Sequence, residues 1–126
     1  MSFSNYLETK ILDHVFGGTA YTAPGTLYLA LFTAAPGEAG GGTEVSGTAY
    51  TRKSVAFTTS GDTTSNTSAV EFDTAGSIWG TVTHVGIFDA STSGNLMAYA
   101  ALSSSKTIES GDVFRVPAGD LDITLN

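Results

Sequence analysis

Residues 26–33, Thr-Leu-Tyr-Leu-Ala-Leu-Phe-Thr, place apolar side chains on both alternating faces. Leu27, Leu29 and Leu31 fall on one face, and Tyr28, Ala30 and Phe32 on the other. A strand with this pattern belongs in the middle of a sheet with both faces covered, so the chain has to wrap other elements around it. The first sixteen residues carry the other strong periodicity. Phe3, Leu7, Ile11 and Val15 recur at i, i+4, with Tyr6, Leu12 and Phe16 beside them, and Glu8, Thr9, Lys10, Asp13 and His14 fill the remaining positions. This predicts an amphipathic helix over residues 1–17, and the N-terminal helix is the obvious cover for the strand that follows. Ser2 or Asn5 is the expected cap, with Asn5 and Glu8 at the spacing of a loose capping box, and Gly17 and Gly18 end the helix.

From residue 26 to residue 126 the pattern is that of short strands separated by Gly-, Ser- and Thr-rich turns. Residues 35–47 (APGEAGGGTEVSG) read as a glycine-rich loop, and residues 49–57 as a polar-faced strand anchored by Tyr50, Val55 and Phe57. Residues 58–68 (TTSGDTTSNTS) read as a polar, turn-rich stretch. Further strands are expected near residues 69–72, 82–88, 96–102, 106–109, 113–116 and 121–125, with residues 89–95 (DASTSGN) as a hairpin connection. In the last strand Leu121, Ile123 and Leu125 alternate with Asp122, Thr124 and Asn126, one face buried and one wet. The expected fold is mainly β: an antiparallel β-sandwich or jelly-roll-like domain of about eight strands with an N-terminal amphipathic α-helix. The chain reads as a single domain over residues 1–126, the helix in 1–17 and the sandwich in 26–126.

Composition narrows the function classes. The 126 residues include no Cys, which excludes a disulfide framework, a thiolate metal site and a Cys nucleophile. Five Lys and Arg against twelve Asp and Glu give a net charge of −7, the reverse of the basic footprint that nucleic acid requires. No run approaches the roughly 20 apolar residues of a membrane span. Only 13% of residues are charged, against about 25% in ordinary soluble domains. A polar surface with few charges suits a chain packed among other protein subunits, where each buried charge needs a partner.

Chemistry-bearing residues are scattered. His84, in Thr-Val-Thr-His-Val-Gly-Ile-Phe, falls by alternation on the face of Val82 and Phe88, with no positioned nucleophile beside it, and reads as a structural or interface residue. His14 lies near the helix C-terminus, where a protonated ring favours the dipole. Asp120 with Asp122, and Glu71 with Asp73, share a spacing that puts two carboxylates on one face of a strand, but no third ligand stands near either pair and the calcium-loop pattern is absent. The glycines at 40–42 lack the Lys and the following helix of a phosphate loop. Asn66-Thr67-Ser68 matches the glycosylation sequon by chance, and Arg52-Lys53 reads as a salt-bridging pair. No catalytic, cofactor or metal site is expected. The candidate interface residues are Phe3, Leu7 and Ile11 of the helix with Tyr21, Tyr50 and Trp79. Trp79 and Tyr50 are also the best candidates for an aromatic platform that binds a glycan.

Four runs carry a family likeness. They are LYLALFT from Leu27, GTEVSGTAYTR from Gly42, THVGIFDA with its SGNL turn, and SGDVFRVPAG from Ser110. Together they resemble a family of small tailed-bacteriophage virion proteins, labelled tail fibre or phage structural proteins, and the likeness extends from Leu27 to Leu125. The resemblance implies a non-enzymatic structural protein of the virion, assembled in the bacterial host cytoplasm. Because 126 residues supply no long shaft and tip, the favoured location is the particle exterior. There the chain would act as a capsid decoration or cement protein, a homotrimer or other homo-oligomer bound to the major capsid protein. The alternative is a tail- or tail-fibre-associated module among tail proteins, binding a host receptor or glycan. Neither reading calls for nucleic acid, membrane or cofactor.

Overall fold

The central strand governs the architecture. In the computed structural model, which describes residues 1–125, Leu27–Ala34 (β2) lies inside a six-stranded antiparallel sheet. The other members are Ser2–Phe3 (β1), Thr43–Glu44 (β3), Lys53–Val55 (β4), Gly80–Phe88 (β8) and Leu96–Ile108 (β9). The order is β1-β9-β8-β2-β3, with β4 also paired to β2. Phe57–Ser60 (β5), Thr63–Asn66 (β6) and Asp122–Thr124 (β11) form a three-stranded sheet, and Val70–Glu71 (β7) pairs with Arg115–Val116 (β10). The fold is mainly β and antiparallel with one N-terminal helix, Asn5–Val15 (α1), as the sequence indicates. It holds eleven strands among the described residues, because β1, β3 and β6 form in segments read as helix, loop and turn.

Both faces of β2 are covered, each by something different. Leu29 and Leu31 join Val82, Val85 and Ile87 of β8 in the main core, where Phe72, Phe114, Val116 and Leu121 from the smaller sheets and their loops close over them. Ala30 and Phe32 face the other way and form a second cluster with Phe88 and Leu96, the Phe32 and Phe88 rings stacked at 6.1 Å. The helix does not cover that second cluster. Tyr6 and Leu7 pack against the main core instead, and the Arg52 guanidinium lies 3.7 Å from the Phe88 ring centroid.

Several boundaries move for identifiable reasons. The helix begins at Asn5 with Ser4 as its cap, not Ser2 or Asn5, because Ser2 and Phe3 are drawn into the sheet opposite Tyr99 and Ala98. The Ser4 hydroxyl accepts the Leu7 amide and donates to the Leu96 carbonyl, so the cap also ties the helix to β9. At the other end Gly18 adopts φ +72°, which only glycine takes freely, and the chain turns back. The expected strand 49–57 divides into β4 and β5, and Ala49 itself has φ +69°, outside the strand region. The glycine-rich loop contains β3, and the last two expected strands contract to β10 and β11; Asn126 lies outside the described residues.

The polar stretch 58–68 is a hairpin. Phe57↔Asn66 through Ser60↔Thr63 pair across Gly61, which turns at φ +64°. Its hydroxyls ladder across strands, Thr59 to Thr64 at 3.0 Å and Thr63 to Thr124 of β11 at 2.9 Å.

The two expected strands 96–102 and 106–109 are one strand interrupted by a large bulge. Val82 pairs with Lys106 and His84 with Ala101, so one residue of β8, Thr83, stands opposite four of β9, residues 102–105. This bulge reverses the alternation expected of β8. Val82, Val85 and Ile87 all enter the main core, and His84 lies on the opposite face from Val82, paired with Phe32.

Candidate interaction surfaces

The run Gly42 to Arg52 folds so that its polar side chains meet. The Tyr50 hydroxyl donates to Glu44 Oε2 at 2.6 Å and accepts the Leu31 amide at 3.0 Å. Arg52 grips the same carboxylate with two bonds, Nε to Oε2 at 2.9 Å and Nη2 to Oε1 at 2.8 Å. Its Nη1 donates to the Ala90 and Ser93 carbonyls, fixing the 89–95 connection. That connection is further closed by Asp89, whose carboxylate accepts the Asn95 amide at 2.7 Å. Only 7% of the Arg52 side chain is exposed. Burial, and then the bond to Glu44, push the Tyr50 hydroxyl far above its ordinary pKa. Every group in this cluster is engaged inside the chain, so it acts as a clamp on two loops and offers no free base or nucleophile.

The expected aromatic platform is corrected here. Trp79 is 5% exposed, its Nε1 donates to the Thr48 carbonyl at 3.0 Å, and its ring meets Tyr50 edge to face at 5.4 Å. Tyr50 also stacks on Phe72. Trp79 is buried because its polar tip finds a backbone partner, whereas Tyr50 is half-buried with its hydroxyl bonded to Glu44. Trp79 therefore offers no exposed ring to a glycan.

The four other candidate residues sit around the helix and are partly used by their own chain. Phe3 is half-buried where β1 pairs with β9, and Leu7 and Tyr21 pack against the main core. Ile11 is half-buried. The Tyr21 amide donates to His14 Nδ1 at 3.0 Å, so His14 pins the returning chain.

Burial falls steadily along the apolar face of α1. The row Leu7, Ile11, Val15 starts half-buried and ends 60% exposed, and the adjoining Leu12 and Phe16 are 57% and 82% exposed. The helix therefore seats its first half on the β body and lets its second half overhang. Helical spacing sets Glu8 within this stripe and Asp13 beside its Phe16 end, with Lys10 on the far side and His14 next to Leu7 at the seated edge.

A groove of about 610 Å³ opens beside β9, with Val85 of β8 also in its lining. Ala100, Leu102 and Lys106 of β9 line one side, and Val113, Phe114 and Arg115 line the other. Beyond Tyr99 no strand pairs with this outer edge of β9 among the described residues. Lys106 and Arg115 make no ion pair among the described residues, whereas Arg52 and Lys53 bind Glu44 and Asp73. No local pattern signals this groove, since its walls come from segments far apart in the chain.

The carboxylate pairs stay apart from any third ligand, and no group of three or more His, Asp or Glu could hold a metal ion among the described residues. Asp122 instead accepts the Ser65 hydroxyl, and Asp73 pairs with Lys53 at 3.0 Å. The sequon residue Asn66 is 3% exposed and fully bonded, to the Ser68 and Pro117 carbonyls and the Leu121 amide. It ties β6 to the 117–121 loop and is inaccessible to a glycan. His84 contacts Thr83 at 2.9 Å and lies near no carboxylate pair described above.

No helix is long and apolar enough to cross a membrane among the described residues. No curated protein matches the chain. Compared with protein-family models, residues 2–124 match the family described as podophage GP4 fiber I protein gp80. The match takes in the helix, the clamp and the groove alike. The chain belongs to this family, one of structural proteins of tailed-phage virions.

Proposed function

We propose that the chain is a non-enzymatic structural subunit of the tail-fibre apparatus of a tailed phage, acting through contacts with other virion proteins. The family match over residues 2–124 carries the reading. The family's description favours a fibre location over the capsid decoration expected from chain length. A fibre assembled from several short subunits needs no long shaft in any one of them. The side-chain chemistry supports a structural role: the Glu44–Arg52 salt bridge is spent on holding loops, while the helix end and the groove are left free.

Gold labelling of an epitope-tagged copy on intact particles, viewed by electron microscopy, tests the location. Label at the tail supports the fibre reading. Label spread over the shell would overturn it and return the chain to capsid decoration, bound to the major capsid protein.

A further inference from the structure

We propose that copies of this chain join head to tail, the overhanging end of α1 in one copy seating Leu12, Val15 and Phe16 in the β9 groove of the next. The inference rests on the reading of the chain as an assembly subunit and names the two surfaces that would do the assembling.

Three observations lead to a second copy as the occupant. The first is that one chain carries both halves of an apolar contact, at different places. The stripe presents three large side chains at 57–82% exposure, and the groove offers a floor of Val85, Ile108, Phe114 and Leu121 with Leu102 and Val113 at its lips. Val113 is itself 44% exposed. The second is charge. The stripe includes Glu8, borders Asp13 and ends in the carbonyl-bearing, partly negative terminus of the helix. The groove holds Lys106 and Arg115, two of the three Lys and Arg without an ion pair among the described residues, the third being Lys10, which lies over the Tyr6 ring. Asp120 and Asp122 line the 117–122 wall of the groove, where Asp122 is engaged by Ser65, so the acidic flank of the helix is directed to the Lys106 lip.

The third observation concerns symmetry. Like-with-like pairing of two stripes would bring Glu8 and Asp13 of both copies together, and pairing two β9 edges would set Lys106 beside Lys106. The bulge at residues 102–105 also spoils a flat edge for strand-to-strand pairing. Contact between unlike surfaces avoids both conflicts. Such a contact repeats from copy to copy and closes into a ring when the rotation allows.

Two exposed-site variants of the full chain test this by light scattering after size exclusion. Phe16→Glu spoils the helix end and Val113→Glu spoils the groove lip, and circular dichroism checks that each keeps its fold. Wild type is expected to be oligomeric and each variant alone monomeric. An equimolar mixture is expected to give a one-to-one heterodimer, because the intact helix of one variant still meets the intact groove of the other. A monomeric wild type would overturn the proposal and leave both surfaces to other virion proteins. So would variants that keep the wild-type mass, or a mixture that stays monomeric. Tail labelling with a monomeric chain would leave the fibre reading standing and remove only this contact.

Discussion

Glu44, Tyr50 and Arg52 are half-buried and bonded to one another, whereas Leu12, Val15 and Phe16 stay mostly exposed. The two groups invert the usual sorting of polar and apolar side chains. A carboxylate and a guanidinium are drawn partly out of water because paired bonds, backbone carbonyls and the Phe88 ring replace the water they lose. An apolar stripe is left outside because the helix is longer than the body it rests on. The bonded cluster therefore bears on whether the chain folds, and the exposed stripe on what the folded chain does next.

The contrast fails if substitutions in the clamp are mild or substitutions in the stripe are severe. Arg52→Ala is expected to have the largest effect, a loss of about 3 kcal/mol in urea or thermal unfolding, because Glu44 keeps its charge without its partner. Tyr50→Phe removes the acceptor for the Leu31 amide and the donor to Glu44, and about 2 kcal/mol should be lost in the same measurement. Tyr50 also sharpens the comparison through pH. Its hydroxyl is raised above the ordinary value of 10.0, so the folded state favours the neutral form. The stabilisation is complete below pH 10 and declines as pH rises above it, and ultraviolet titration should show one tyrosine ionising only as the fold is lost. Ser4→Ala, which removes the helix cap and its bond to β9, should cost about 1 kcal/mol. Phe16→Ser comes last. In dilute solution the unfolding free energy should change by no more than about 0.5 kcal/mol, while self-association is lost.

Local patterns revealed the parts of the fold that local forces decide. The doubly apolar run Leu27 to Phe32 did become the central strand, and the residues left between the two expected segments of β9 coincide with its bulge. What the patterns missed depends on distant partners. Ser4 rather than Ser2 caps the helix because residues 98 and 99 recruit β1, a contact with no local signature. The 58–66 hairpin carries polar residues on both faces, so it has no hydrophobic period, although a run rich in β-branched Thr hints at strand. The surfaces divide in the same way. The apolar stripe is visible in the helical spacing, but its exposure follows from where the helix ends relative to the sheet. The Glu44–Tyr50–Arg52 clamp lies within one quoted motif, yet the sequence identifies only a salt-bridging Arg. Its side chains converge because β3 and β4 both pair with β2.

The structural-subunit reading is tested most directly by counting copies of the chain in purified virions, by quantitative mass spectrometry against the major capsid protein. A fibre subunit should number from a few to some tens per particle. Hundreds of copies, in proportion to the shell, would contradict the fibre assignment, and absence from the particle would contradict the structural role itself.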